Sequence, residues 1–233
     1  TRAALGDLRG VNQLFYAALY EQPGLVPGWS DQEQMTTNLL MLTNTVESLA
    51  GAGLGNVVLL QGTKAYGVHL MPLRIPAKER QPRVVHENFY WLQEDYLTGR
   101  SAELGFSFTI LRPQFIFGGV VGAAMNLVPI IGLYGTLCRE QGLPFSYPGG
   151  SSYVAEASDP RLIADAALWA SDSPAAANQT FNITNGDVFE WRDVWPALAA
   201  DLGVEVGPDE KRSMAAYMPA QESAWAGLVA KYD

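Results

Sequence analysis

Short apolar runs alternate along this chain with longer stretches whose apolar residues recur at helical spacing. Asn56–Gln61 (Asn-Val-Val-Leu-Leu-Gln) is a run of the kind buried on both faces in a parallel sheet. Val11–Leu19 and Phe106–Arg112 read as further strands, the latter ended by Pro113, and Thr180–Ile183 as a shorter one. Between the first two strands, Asp31–Gly51 places Leu39, Leu40, Leu42, Val46 and Leu49 near helical spacing, with Ser30 or Asp31 as the cap. A proline-rich loop from Gly67 to His86 leads to a helix from Asn88 to Leu104. Helices follow at Met125–Gln141, Pro160–Ser171 and Trp191–Leu202, whereas the C-terminal stretch carries no clear pattern. Strands that alternate with helices predict an α/β fold, a parallel sheet with helices on both faces. The glycine-rich segment Gly51–Gly55 follows a helix and precedes a strand, the reverse of a dinucleotide-binding turn, so it reads as a helix C-cap. Gly149–Ser152 reads as a loop tip, too short for a domain linker.

Composition narrows the classes of function. With 233 residues, 48% of them hydrophobic and 17% charged, the chain suits one folded domain with a sizeable core. A net charge of -9 argues against nucleic acid as a partner, because phosphate backbones are bound by clustered Lys and Arg. One cysteine (Cys138) and two histidines (His69, His86) make neither an internal disulfide nor a zinc pattern, so no metal is expected and a reducing cytoplasm fits. The interval between Arg112 and Arg139 lacks charge, yet five glycines (118, 119, 122, 132, 135), Asn126 and Pro129 interrupt it. A strand, a loop and an apolar helix describe it better than a membrane span does. The opening Thr-Arg-Ala-Ala-Leu-Gly-Asp has no secretory apolar core and no initiator Met, so further residues are expected upstream.

Chemistry concentrates at Lys64, directly after the Asn56–Gln61 strand, and at Tyr90, at the start of the next helix. An ammonium beside a phenol lowers the phenol pKa and steadies charge developing on a bound carbonyl oxygen, which points to carbonyl or enone chemistry. Either residue alone reads as ordinary: a solvated lysine, a helix aromatic. Tyr66 reads as structural and His86 as a surface histidine. Glu94, Asp95, Asp159 and Asp165 read as helix-end or surface charges, and Trp169, Trp191, Trp195 and Cys138 as packing residues.

Four segments carry a resemblance: Gln61-Gly62-Thr63-Lys64-Ala65-Tyr66-Gly67, Asn88-Phe89-Tyr90, Leu111-Arg112-Pro113 through Ile116-Phe117-Gly118, and Phe181 through Asp187, with Met125-Asn126-Leu127 and Gly142-Leu143-Pro144 in support. In these the chain resembles the progesterone 5-beta-reductase and iridoid synthase-like (PRISE) enzymes, an atypical branch of the extended short-chain dehydrogenases/reductases, and most closely their bacterial members. Ordinary dehydrogenases of that superfamily carry Lys four residues after Tyr on one helix; here that position is Glu94, and Lys64 matches the lysine that the atypical branch takes from the preceding strand end.

The resemblance implies a Rossmann-like doubly wound sheet that starts just before the family's fourth strand, with a smaller C-terminal substrate-binding part. Residues 1–233 would be a single NAD(P)-binding domain lacking its first strands, with roughly 114–158 and 184–233 contributing the substrate lobe. It also implies an NADPH-dependent reduction of an enone C=C bond, with NADH as the alternative cofactor. Tyr90 and Lys64 would be catalytic. Thr63, Lys64, Tyr90, Pro113, Phe115 and Ile116 would bind the cofactor, and Phe89, Trp91, Met125 and Asn126 the substrate, although Trp91 stands where relatives often have a second Tyr. A small-molecule enone or carbonyl is the expected partner, with no nucleic acid and no membrane, and family likeness favours a homodimer. The competing readings are an extended ketone reductase or nucleotide-sugar epimerase/dehydratase, and a non-catalytic NAD(P)-sensing protein.

Overall fold

Val57 and Leu59 point to one face of their strand and Val58 and Leu60 to the other, and that alternation builds two cores on one sheet. The computed structural model describes residues 2–22, 29–120, 125–150 and 153–232. In chain order the elements are α1 (Arg2–Leu5), β1 (Gln13–Tyr16), α2 (Gln32–Leu49), β2 (Asn56–Leu60), α3 (Phe89–Leu104), β3 (Ser107–Pro113) and β4 (Phe115–Ile116). Next come α4 (Leu127–Gln141), β5 (Ala155–Ser158), α5 (Pro160–Asp172), β6 (Gln179–Ile183), β7 (Val188–Phe189), α6 (Trp191–Leu202), α7 (Met214–Tyr217) and α8 (Glu222–Tyr232). Gly122, Ser151 and Ser152, which the sequence assigns to loops, lie outside the described residues.

The chain divides into two compact units. The first, residues 1–114 and 160–184, holds a parallel sheet in the order β1-β2-β3-β6. Helices α2 and α3 pack Leu42, Val46, Leu49 and Leu97 against Val57, Leu59, Phe108 and Ile110. On the opposite face, α5 brings Ala167 and Ala170 against Val58 and Leu111. A strand covered on both faces needs apolar residues at every position, which is why Asn56–Leu60 reads as a continuous run. Helix α2 starts where its cap allows: Asp31 accepts a hydrogen bond from the Gln34 N–H. It ends in a short 3-10 turn closed by Gly53 in the left-handed region (φ 95°), so Gly51–Gly55 is a helix terminus, as the order of elements requires.

The second unit, residues 115–159 and 185–233, has its own small sheet, β4-β5-β7, in which β5 pairs parallel to β4 and antiparallel to β7. Its core is aromatic: Tyr134 and Cys138 of α4 meet Phe145, Tyr147, Trp195 and Ala199, with Phe145 and Trp195 stacked at 4.4 Å. Cys138 and Trp195 are packing residues, as expected. The strands β4, β5 and β7, each two to four residues long, escape a reading by periodicity because alternation needs more positions to register. Among the described residues, no helix is long and apolar enough to cross a membrane, and none of their His, Cys, Asp and Glu side chains form a cluster suited to a metal ion.

Candidate active site

Lys64 sits in a 3-10 turn, Thr63–Tyr66, that begins three residues after the last residue of β2. Carboxyl ends of parallel strands are where ligands bind in open α/β sheets, because loops diverge there and leave a crevice. The turn is entered through Gly62, whose backbone is fully extended and closely overlain: a Cβ there would lie 3.4 Å from the Pro113 carbonyl oxygen and 3.7 Å from the Tyr90 hydroxyl. That contact brings the phenol of α3 to the doorway of the Lys64 turn, with the end of β3 alongside.

The lysine amine lies over the ring of Trp29, 3.5 Å from its centroid. Trp29 in turn meets Tyr90 edge-on at 5.3 Å and Phe89 at 4.8 Å, and the three rings with Met35 form a small buried cluster. Trp29 therefore touches both candidate catalytic side chains. The sequence reading missed it, since a single Trp between a proline-rich segment and a helix cap carries no periodic signal.

Burial decides the electrostatics. Desolvation pulls the Lys64 amine down to about 8, partly offset by the Glu21 carboxylate. The Tyr90 phenol is pushed well above its ordinary value, by burial first and by Glu21 second, while Arg112 opposes the rise. The expectation that the neighbouring ammonium lowers the phenol pKa is thus corrected: desolvation wins, and the opposing cation is Arg112. Glu21 carries a buried carboxylate oxygen without a hydrogen-bond partner, and the Trp29 indole N–H is likewise buried and unpartnered.

Arg112 is a buried charge at the end of an apolar strand, and it explains Glu94. The guanidinium donates to Glu94 (2.5 Å) and to the Gln61 side-chain oxygen (3.2 Å), and Gln61 donates onward to the Tyr90 carbonyl (3.2 Å). Glu94 also accepts from Arg83 at 2.8 Å. Glu94 is therefore no surface charge: four residues after Tyr90 it faces β3 and is only 8% exposed, while Asp95, 64% exposed at its side chain, behaves as expected. His86 is also less free than a surface histidine, half-buried and hydrogen-bonded to the Val84 carbonyl and to Asn88.

The other candidates fall into two groups. Thr63, Lys64, Phe89, Tyr90, Trp91 and Pro113 share the first unit. Phe89 is 2% exposed and packs in the aromatic cluster, and Trp91 lies under Arg83 at 4.7 Å and near Arg112 at 5.7 Å. Pro113 is buried at the end of β3, and Thr63 is half-buried in the lysine turn. Tyr66 donates to Asn182 at 2.6 Å, a structural bond that ties the turn to β6. Phe115, Ile116, Met125 and Asn126 belong to the second unit. There Phe115 stacks on Phe117, Ile116 and Met125 are exposed, and Asn126 caps α4 while donating to the Gly118 carbonyl at 2.7 Å.

A four-stranded parallel sheet covered on both faces, with convergent polar groups at the ends of β2 and β3, defines a Rossmann-type α/β protein. Residues 9–233 match the PRISE-like Rossmann-fold domain, and the chain belongs to that family, which bears out the resemblance carried by the four motifs. The (S)-8-oxocitronellyl enol synthase of Catharanthus roseus is 30% identical over 246 residues, covering 99% of this chain and 61% of that protein. The 3-oxo-Delta(4,5)-steroid 5-beta-reductase of Arabidopsis thaliana is 31% identical over 246 residues, covering 98% and 61%. The chain thus spans 61% of the length of these curated relatives. Among solved structures, RMD from Pseudomonas aeruginosa complexed with NADPH is similar with a TM-score of 0.70 at 19% identity, over 91% of this chain and 73% of that one. A UDP-N-acetylglucosamine 4-epimerase from Methanobrevibacter ruminantium M1 reaches 0.68 at 16% identity, over 91% and 66%. At such identities these two likenesses bear on the fold alone.

Proposed function

We propose that this chain carries the catalytic centre of an NADPH-dependent reductase of activated C=C bonds, with Tyr90 as the donor to the substrate carbonyl oxygen and Lys64 as its cationic neighbour. The observation that carries the reading is the meeting of the Tyr90 hydroxyl and the Lys64 turn across Gly62, with Trp29 touching both side chains. The two plant relatives, one named for enol synthesis and one for steroid 5-beta reduction, support an enone as the substrate class. Support for a nicotinamide cofactor comes from membership of a Rossmann-fold family, a fold that binds dinucleotides at the carboxyl ends of its strands.

The residues present suit the ribose and nicotinamide end of such a cofactor. Lys64 supplies a cation, Tyr90 a donor, and the orphaned Glu21 oxygen and Trp29 N–H offer a buried acceptor and donor of the kind a sugar hydroxyl satisfies. When bound, the nicotinamide is the source of hydride.

On this reading the β-carbon accepts the hydride, the C=C electron pair shifts, and negative charge collects on the carbonyl oxygen. Tyr90 remains protonated at neutral pH because burial holds its proton, so it donates to that oxygen more strongly as the charge grows. Lys64, charged below about 8, adds positive potential in a water-poor setting where it is weakly screened. The enolate then takes a proton from water at its α-carbon, giving the saturated carbonyl compound. The test is loss of nicotinamide absorbance when the intact protein meets NADPH and a panel of enones. Saturated product supports the reading, whereas alcohols from ketones with enones untouched would move it to the ketone reductases, and binding without turnover to the NAD(P) sensors.

A further inference from the structure

Residues 67–87 form a long loop between the Lys64 turn and the Tyr90 helix, so something must fix one against the other. The Asn88 side chain reaches the main chain of both. Asn88, 3% exposed, accepts from the Tyr90 N–H at 3.0 Å and donates to the Lys64 carbonyl at 3.0 Å. Its second amide hydrogen goes to His86 Nε2 at 3.1 Å, while His86 Nδ1 lies 2.8 Å from the Val84 carbonyl. The partners dictate the orientation of the amide, since Lys64 O can only accept and Tyr90 N can only donate. They dictate the histidine tautomer too: Nδ1–H donates to Val84, leaving Nε2 to accept. The Lys64 carbonyl also accepts from the Gly67 N–H at 3.1 Å, so both of its lone pairs are engaged.

We propose that Asn88 is a positioning residue that sets the separation of Lys64 and Tyr90 by clamping the main chain of each. This inference rests on the reductase reading of that pair and deepens it. No other side chain performs both tasks at this position. Serine or threonine caps the helix but is too short to reach Lys64, and aspartate caps it but turns a carboxylate oxygen toward the Lys64 carbonyl. The clamp matters because a displacement of about 1 Å in a reacting group can cost on the order of 10²-fold in rate.

The variant that separates clamp from cap is Asn88→Ser, with Asn88→Asp as the isosteric companion and Asn88→Ala removing both functions. Two quantities are read. The first is kcat and KM for an enone. The second is the acid–base midpoint of the Lys64 amine, from the pH dependence of its acylation followed peptide by peptide. The groups facing that amine include Trp29, Glu21 and His69. In Asn88→Ser the midpoint is expected to rise from about 8 toward 10.5 as the turn loosens and water reaches the amine. A tenfold or greater fall in kcat is expected with it, KM changing less. Should Asn88→Ser fail to fold, Asn88→Asp, which keeps volume and cap, gives the same kcat test. Unchanged midpoint and kcat in Asn88→Ser, with only a lowered melting temperature in Asn88→Ala, would reduce Asn88 to a helix cap and overturn the proposal. A wild-type protein inactive on every enone would instead sink the reductase reading, and the lysine midpoint would still decide the role of Asn88.

Discussion

Removing the Tyr90 hydroxyl deletes one donor and leaves the ring packed against Trp29 and Phe89, so Tyr90→Phe isolates the chemistry from the fold. Its expected effect is a fall in kcat of about 10²–10³-fold, the usual consequence of losing an oxyanion donor, with a smaller loss of NADPH affinity by fluorescence titration. Lys64 sets the pH behaviour. Its charge is present below about 8, so kcat/KM is expected to fall as pH climbs through that value, and Lys64→Arg, charged throughout, is expected to push the alkaline limb upward in the same pH–rate measurement. Trp29 supplies both the apolar burial and the ring face under the amine, and neither its spacing nor its neighbours in the sequence announce that role.

At the scale of elements, the pair Arg112–Glu94 joins the end of β3 to helix α3, with Gln61 at the end of β2 as the third anchor. A buried pair adds little net stability over an apolar substitute, but breaking it strands a charge. Glu94→Gln is therefore expected to cost about 3 kcal/mol in chemical denaturation. Asp95→Asn removes an exposed partner of the same Arg83 and is expected to cost less than about 1 kcal/mol. Equal effects would contradict the distinction between them. Most elements of the first unit were legible from periodicity: α2, β2, α3, β3, α5 and β6 lie within a few residues of their sequence-predicted bounds. What was hidden is what periodicity cannot encode. In the sequence Arg112 is the last residue of a strand, Glu94 a helix-end or surface charge, and Asn88 the first residue of a helix. Each acquires its second role only when β2, β3 and α3 converge. Lys64 and Tyr90 stand out as candidates because their motifs set them in an unusual pairing, whereas Trp29 and Glu21 lie in a stretch with no comparable signal.

Over the whole molecule, burial of titratable groups shapes the stability curve. Lys64 titrates near 8 when folded and near 10.5 when unfolded, so between these values the unfolded chain binds more protons and stability rises with pH. Tyr16 and Tyr134 are pushed up to about 12 by burial, so above about 10 the folded chain holds protons that the unfolded chain releases, and stability falls. Denaturation series at successive pH values are expected to show stability rising above pH 8 with Lys64, then declining as Cys138 and the buried tyrosines ionise in the unfolded chain. Tyr16→Phe and Tyr134→Phe are expected to soften the alkaline decline.

The destination of the hydride is read from isotope transfer. With NADPH deuterated at the transferable position and an enone substrate, the expected product is a saturated carbonyl compound carrying deuterium at the β-carbon by NMR. Deuterium at the former carbonyl carbon of an allylic alcohol would contradict C=C reduction.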